Sequence, residues 1–267
     1  MRLPLAGERN QLCVLCNNAS KDSSGTNSPD FYYNLKIMEL LLKSITISHV
    51  LAGIIALVVG PVALFVMKGG NVHRASGKIF FWAMTWIFLS AVCLSIYKWI
   101  PFLLMIAFFS YYSVIIGYRS IYQKQLHQGK GIMWYDWVAL IISGLFNNGF
   151  VIWGVYLAYT GQLGFFAYLS IAFGMGGLIM VIGQIKSFLS PPLDKHRWLY
   201  AHIGNMTGGF IAAVTAFSTQ VMTFLPGVIQ WIWPALVGVP ISFYWISTYQ
   251  RKLRQNVRLV DLVELKR

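Results

Sequence analysis

Histidines and aspartates with metal-binding chemistry occur near the predicted ends of apolar segments. The set consists of His73, His196, His202, Asp136 and Asp194. Imidazole and carboxylate groups are ligands for zinc and other divalent ions, and imidazole also ligates haem. The HxxxH and HExxH spacings of helical metal sites are absent from the sequence. A metal site on these residues therefore requires the fold to bring separate segments together.

A second group of polar residues is predicted near the middle of apolar segments. Its members are Asn147, Asn148, Tyr111, Tyr112, Asn205 and Thr207. Polar groups in lipid need hydrogen-bond partners, and each such contact contributes about 0.6 to 2 kcal/mol. Two interpretations stay open, namely hydrogen bonds between neighbouring helices and a polar pocket for a small ligand.

A basic, glycine-containing turn forms a third candidate site. The segment 68–78 reads KGGNVHRASGK and contains Lys68, Arg74 and Lys78. It lacks the GxxxxGK[ST] pattern of a nucleotide-binding loop. Backbone amides with lysine and arginine can bind a lipid phosphate. The alternative is a short basic loop between two membrane helices.

The composition is that of a protein embedded in lipid. Only 11% of residues are charged, 57% are hydrophobic and the mean hydropathy is +0.61, whereas soluble domains are roughly 25% charged. This excludes a typical cytosolic enzyme and a disordered protein. We interpret the net charge of +13 as a sign that the protein binds anionic lipid head groups and not nucleic acid.

Seven apolar stretches are long enough to cross a hydrocarbon core about 30 Å thick, which takes roughly 20 helical residues. They lie at 44–67, 79–97, 99–118, 137–159, 163–185, 198–224 and 228–250, and none contains Asp, Glu, Lys or Arg. A membrane-spanning backbone must satisfy its own hydrogen bonds. The sequence therefore predicts an all-α, polytopic bundle of about seven transmembrane helices.

The positive charges predict the orientation of this bundle. From the first gap to the C-terminal tail, the segments after each stretch contain three, one, three, zero, three, zero and six Lys or Arg residues. Basic loops remain on the cytoplasmic side. We therefore expect a multi-pass protein of the cell membrane with its N-terminus outside and its C-terminus in the cytoplasm.

The predicted domains are a flexible N-terminal tail at 1–42, a membrane domain at 43–250 and a basic cytoplasmic tail at 251–267. Met38 precedes the first apolar stretch, so an internal start there, with the preceding residues not native, stays an open alternative. The role of Cys13 and Cys16 in the tail is open, and the sequence identifies neither a cofactor nor an oligomeric state.

Three segments resemble a bacterial family of multi-pass membrane proteins catalogued as domain of unknown function 2306. They are HVLAGIIALVVGPVALFVMKGGNVHRASGKIFFWAM at 49–84, FLLMIAFFSYYSVIIGYR at 102–119, and the Asp136-Trp137 pair. The resemblance implies an integral membrane protein and assigns no residue a role. We expect a non-enzymatic small-molecule carrier or sensor with a midplane polar pocket. The alternative is a metal- or haem-dependent membrane enzyme that uses the histidines near the cytoplasmic side.

Overall fold

The computed structural model describes residues 29–161, 164–255 and 257–263, and the regular secondary structure of this part is helical, without a strand. The seven long helices are α1 Pro29–Phe65, α2 Asn71–Tyr97, α3 Pro101–Ser120, α4 Trp134–Tyr159, α5 Phe165–Leu189, α6 Arg197–Val221 and α7 Gly227–Arg254. A 3-10 turn at Leu126–Gln128 and a short helix α8, Leu259–Leu262, complete the described elements. The predicted all-α class is confirmed.

Six of these helices, all except α6, are long and apolar enough to cross a membrane. Helix α6 has 25 residues, so its length suffices, but it is more polar because it contains His202, Asn205 and Thr207. Its neighbours explain how this polarity is accommodated, since α6 packs against both α3 and α7. A polytopic membrane bundle follows from these helices.

The chain divides into two compact units, residues 1–48 and 49–267. In the first unit, the Ser44 and Thr46 hydroxyls donate hydrogen bonds to carbonyls four residues earlier in α1. Helix α1 begins at Pro29, inside the segment 1–42 that the sequence assigns to the tail. Cys13 and Cys16 lie outside the described residues.

Within the second unit, α3 is the central helix and packs against α2, α4, α5 and α6. Helix α5 lies closely against α4 because glycines face the contact. A Cβ atom on Gly174 would lie 2.9 Å from the Asn147 carbonyl oxygen, and one on Gly177 would overlap the Asn147 carboxamide. These glycines therefore let the two backbones approach, as small residues do in other membrane bundles.

Three of the basic loops predicted between apolar stretches meet at one end of this unit. This end is called here the basic end. His202, near the start of α6, donates from Nδ1 to the Gly117 carbonyl near the end of α3, at 2.8 Å. The His73 ring, near the start of α2, lies 6.2 Å from the His202 ring. Lys124, after α3, lies over the Trp198 ring at 5.3 Å. The basic end therefore consists of the loops at 66–70, 121–133 and 190–196 and the adjoining helix ends.

Candidate functional site at the basic end

A buried ion pair joins α3 to α4 at the basic end. Arg119, in the last turn of α3, donates from Nε to Asp136 Oδ1 at 2.7 Å and from Nη2 to Asp136 Oδ2 at 2.9 Å. The side chains of Arg119 and Asp136 are only 16% and 4% exposed. This bidentate geometry is the strong form of a charge-assisted hydrogen bond.

Two further donors complete the surroundings of the Asp136 carboxylate. Gln123 Nε2 donates to Asp136 Oδ2 at 3.1 Å, and the Met133 backbone N–H donates to the same oxygen at 2.9 Å. The second of these bonds caps the first turn of α4, where a carboxylate is favoured by the helix dipole. Asp136, predicted as a metal ligand, thus joins the start of α4 to the end of α3.

Aromatic rings surround the Arg119 guanidinium on its other sides. Its central carbon lies 4.7 Å from the Tyr135 ring centre and 5.6 Å from that of Tyr122. Its Nη2 also approaches the Gly131 carbonyl at 3.4 Å. Gly131 has φ of +92°, and a Cβ atom there would lie 3.3 Å from the Tyr122 carbonyl oxygen. A glycine therefore suits this turn on both conformational and steric grounds.

A small cavity adjoins the ion pair between α3, α4 and α5. Its polar lining residues are Tyr112, Arg119, Gln123, Asp136 and Gln184. About 10 Å³ is open to the centre of a water-sized molecule, which corresponds to roughly one water site. The cavity therefore lies at the basic end, beside the ion pair.

The Tyr112 hydroxyl is buried and has no hydrogen-bond partner among the described residues. The Tyr112 residue is 4% exposed and lines this cavity. Leaving a buried hydroxyl unpaired costs about 1 to 3 kcal/mol. The cavity thus contains a polar group whose hydrogen bonds a small molecule can supply.

The other predicted pocket residues lie elsewhere. Tyr111 OH is 2.8 Å from Thr85 Oγ1, and Asn205 Nδ2 donates to the Ala201 carbonyl. Asn147 Nδ2 donates to the Ser143 carbonyl and hydroxyl. Thr207 is buried in α6, whereas Asn148 is exposed on α4. Of the six predicted residues, only Tyr112 lines the cavity.

The predicted metal ligands occupy three separate places. Asp136 pairs with Arg119, and Asp194 Oδ1 lies 3.5 Å from His196 Nδ1. His73 and His202 form the third place, where their Nδ1 atoms bond to the carbonyls of Ala63 and Gly117 at 2.9 and 2.8 Å. In the described part of the chain, no three His, Cys, Asp or Glu residues come together as a possible metal site. The five predicted ligands therefore do not form one cluster.

The predicted phosphate ligands have different surroundings. The Lys68 ammonium turns back to the end of α1 and donates to the carbonyls of Ala63, Leu64 and Val66. Burial lowers the pKa of Lys68. Arg74 donates to Asn71 Oδ1 at 2.7 Å, and Lys78 is exposed. Lys68 thus stabilises a helix end, which is a role that its position in a basic loop did not indicate.

Arg119, Gln123 and Gln184 were not among the predicted site residues. The sequence does contain a signal for Arg119, because Asp136 is the only acid between residues 40 and 193. A lone carboxylate at the start of a membrane helix requires a cationic partner nearby. The sequence contains no comparable signal for Gln123 or Gln184.

No curated protein and no solved structure matches the chain significantly. A family model described as "Predicted membrane protein (DUF2306)" matches residues 46–155. The match includes α2, α3 and nearly all of α4, and with them Tyr112, Arg119 and Asp136. Over this segment, the resemblance to the family of predicted membrane proteins with domain of unknown function 2306 is confirmed.

Proposed function

We propose that this multi-pass membrane protein is a carrier or sensor that binds a small, neutral, polar molecule in the cavity at the basic end. The observation that carries this proposal is the Tyr112 hydroxyl, which is buried without a partner beside a hydrogen-bonded ion pair. Functional sites commonly retain such unfavourable groups at the expense of stability.

The lining of the cavity favours a neutral ligand over an ion. Arg119 and Asp136 neutralise each other, so the remaining polar lining consists of a hydroxyl and the amides of Gln123 and Gln184. These groups donate and accept hydrogen bonds. An ion would enter without a counter-charge, which is costly in a buried site. Because the space corresponds to about one water, a larger solute requires α5 to move from α3 and α4.

We further propose that the basic end faces the cytoplasm and contacts anionic lipid head groups. Its loops contain Lys124, Lys130 and Lys195, and α7 ends with Arg251, Lys252 and Arg254. Cytoplasmic loops are enriched in Lys and Arg, and each basic residue near an anionic surface contributes about 1 kcal/mol of attraction. The cavity is then closest to the cytoplasmic side, as expected for a sensor of cytoplasmic solute or for the inner site of a carrier.

The test compares two adjacent tyrosines in the purified full chain. Tyr112→Phe removes the hydroxyl that lines the cavity, whereas Tyr111→Phe removes one that bonds to Thr85. Glycerol and urea serve as neutral probes. Solute flux into proteoliposomes is measured by stopped-flow light scattering, and binding is measured from solute-dependent changes in melting temperature.

We expect at least one probe to show faster flux than in protein-free liposomes, or a melting shift that Tyr112→Phe abolishes and Tyr111→Phe preserves. Without solute, Tyr112→Phe should melt higher than the wild type, since it removes an unpaired buried hydroxyl. Identical flux in empty liposomes, combined with identical melting shifts in wild type and Tyr112→Phe, contradicts the proposal.

A further inference from the structure

Helix α4 has an exposed face with a regular spacing. The residues of this face recur along α4 at alternating intervals of three and four positions. They are Val138, Ile141, Leu145, Asn148, Ile152, Val155 and Tyr159. The six residues other than Asn148 are exposed by between 42%, at Val138, and 91%, at Tyr159. Alternation of three and four is the spacing of a left-handed helix pair. From 138 to 159 the face extends about 31 Å, the thickness of a hydrocarbon core.

Asn148 is a polar residue near the middle of this apolar face. Its side chain is exposed, and it forms no hydrogen bond with any residue that the structure describes. By contrast, the Asn147 and Asn205 amides donate to carbonyls four residues earlier, at 2.8 Å in both cases. Lipid tails offer no donor or acceptor, so the Asn148 carboxamide lacks the partners that a membrane position requires.

The opposite face of α4 is already occupied. Leu140, Ser143, Asn147, Phe150, Gly154 and Leu157 are buried, and α4 packs there against α3 and α5. The Asn148 face is therefore outside the contacts that build the bundle. A partner on this face adds an interface without displacing any helix.

We propose that this face pairs with the same face of a second copy of the chain. All copies have the same orientation in a membrane, so a two-fold axis along the membrane normal sets the two α4 helices parallel. Each residue on the axis then meets its own equivalent at the same depth. A carboxamide both donates and accepts, so Asn148 of each copy satisfies Asn148 of the other. A single Asn in an apolar helix pair also fixes register and partner number.

This inference is independent of the proposed ligand cavity, because the two use different residues of α4. Asp136, at the start of α4, points to α3, whereas Asn148 lies on the exposed face. Loss of dimerisation and loss of solute binding can therefore be observed separately.

The first experiment measures self-association of the full chain by fluorescence energy transfer in proteoliposomes at decreasing protein-to-lipid ratios. We expect a concentration-dependent dimer, and Asn148→Leu should weaken it roughly 3- to 30-fold, the range expected for an interhelical hydrogen bond in membranes. Asn148→Gln, which retains the carboxamide, should preserve much more of the dimer than Asn148→Leu does.

The second experiment uses disulfide cross-linking in a background without Cys13, Cys16 and Cys93. Leu145→Cys and Ile152→Cys lie on the face, one turn to either side of Asn148. Ile179→Cys on α5 is the matched control, since Ile179 and Leu145 are 66% and 67% exposed. We expect cross-linked dimers from both positions on α4 and little from Ile179→Cys.

The proposal is overturned if the wild-type chain is monomeric at every protein-to-lipid ratio, which would leave lipid or a different protein as the neighbour of this face. It is also overturned if Asn148→Leu associates as strongly as the wild type, or if Ile179→Cys cross-links as efficiently as Leu145→Cys. The cross-linking experiment keeps Asn148 and does not depend on the folding of the Asn148→Leu variant.

Discussion

Arg119 and Asp136 form two parallel hydrogen bonds, of 2.7 and 2.9 Å, between the end of α3 and the start of α4. Because the carboxylate is 4% exposed and accepts two additional hydrogen bonds, either charge would be left buried if the other were removed. The pair thus makes the connection between the two helices sensitive to single substitutions.

Removing either member of this pair should destabilise the protein. We expect Arg119→Gln and Asp136→Asn each to lower the free energy of unfolding by about 3 to 5 kcal/mol, the usual cost of an uncompensated buried charge. The double variant should recover part of this loss. Thermal melting of all four proteins in one detergent gives the coupling energy, and strictly additive effects would contradict a direct interaction.

Close packing between α4 and α5 should make Gly177 intolerant of a larger residue. Gly177→Ala places a methyl group on the Asn147 carboxamide, so we expect a lower melting temperature. Gly183→Ala is the matched control in α5, because nothing lies within 4 Å of a Cβ atom there. The control should be neutral or more stable by up to about 1 kcal/mol from helix propensity. Equal melting of the two variants would mean that the contact with Asn147 is not tight.

The contribution of Lys68 to the free energy of unfolding should change with pH in a defined direction. Burial lowers the pKa of Lys68 below the ordinary lysine value of about 10.4, so the folded state disfavours the charge. This penalty is present in full below the lowered pKa, and it disappears as the pH rises to about 10.4. Relative to Lys68→Met, the wild type should therefore gain stability as the pH rises through this interval. Melting curves of both proteins from pH 7.5 to 10.5 measure the difference, and a relative loss over the same range would contradict the direction.

The orientation of the bundle can be tested by chemical labelling. Lys98 lies between α2 and α3, and Lys130 lies between α3 and α4. Because α3 is long and apolar enough to cross a membrane, we expect the two positions on opposite sides. In a background without Cys13, Cys16 and Cys93, an impermeant maleimide should label Lys98→Cys in intact cells. Lys130→Cys should react only after permeabilisation. The reverse result would place the basic end outside.

Much of the fold is accessible from the sequence because lipid imposes simple constraints. A run of about 20 apolar residues must be helical, and proline is tolerated at the first position of a helix. The second and third apolar stretches, at 79–97 and 99–118, accordingly correspond to two helices that are separated between Tyr97 and Pro101. Helix α6 is less apolar than this rule requires. Its His202 donates a hydrogen bond to Gly117 of α3, and its Thr207 is buried.

The candidate site is harder to predict because it depends on which face of each helix points inward. Asn147 and Asn148 are adjacent in sequence, but successive helical residues differ in direction by about 100°. One is 1% exposed and packs against α5, whereas the other is exposed on α4. The same rotation separates Tyr112, in the cavity, from Tyr111, which bonds to Thr85. Periodicity gives the spacing of such residues, but only the packing of the helices gives their direction.

The spacing of Arg119 and Asp136 along the chain also has a consequence for biosynthesis. The two residues are 17 positions apart, so their pairing needs no segment synthesised after α4. A nascent chain that has reached this point can enter the bilayer as a hairpin whose opposing charges already neutralise each other. Pairing of these two charges therefore lets the connection between α3 and α4 reach its folded form before α5 is synthesised and completes the cavity.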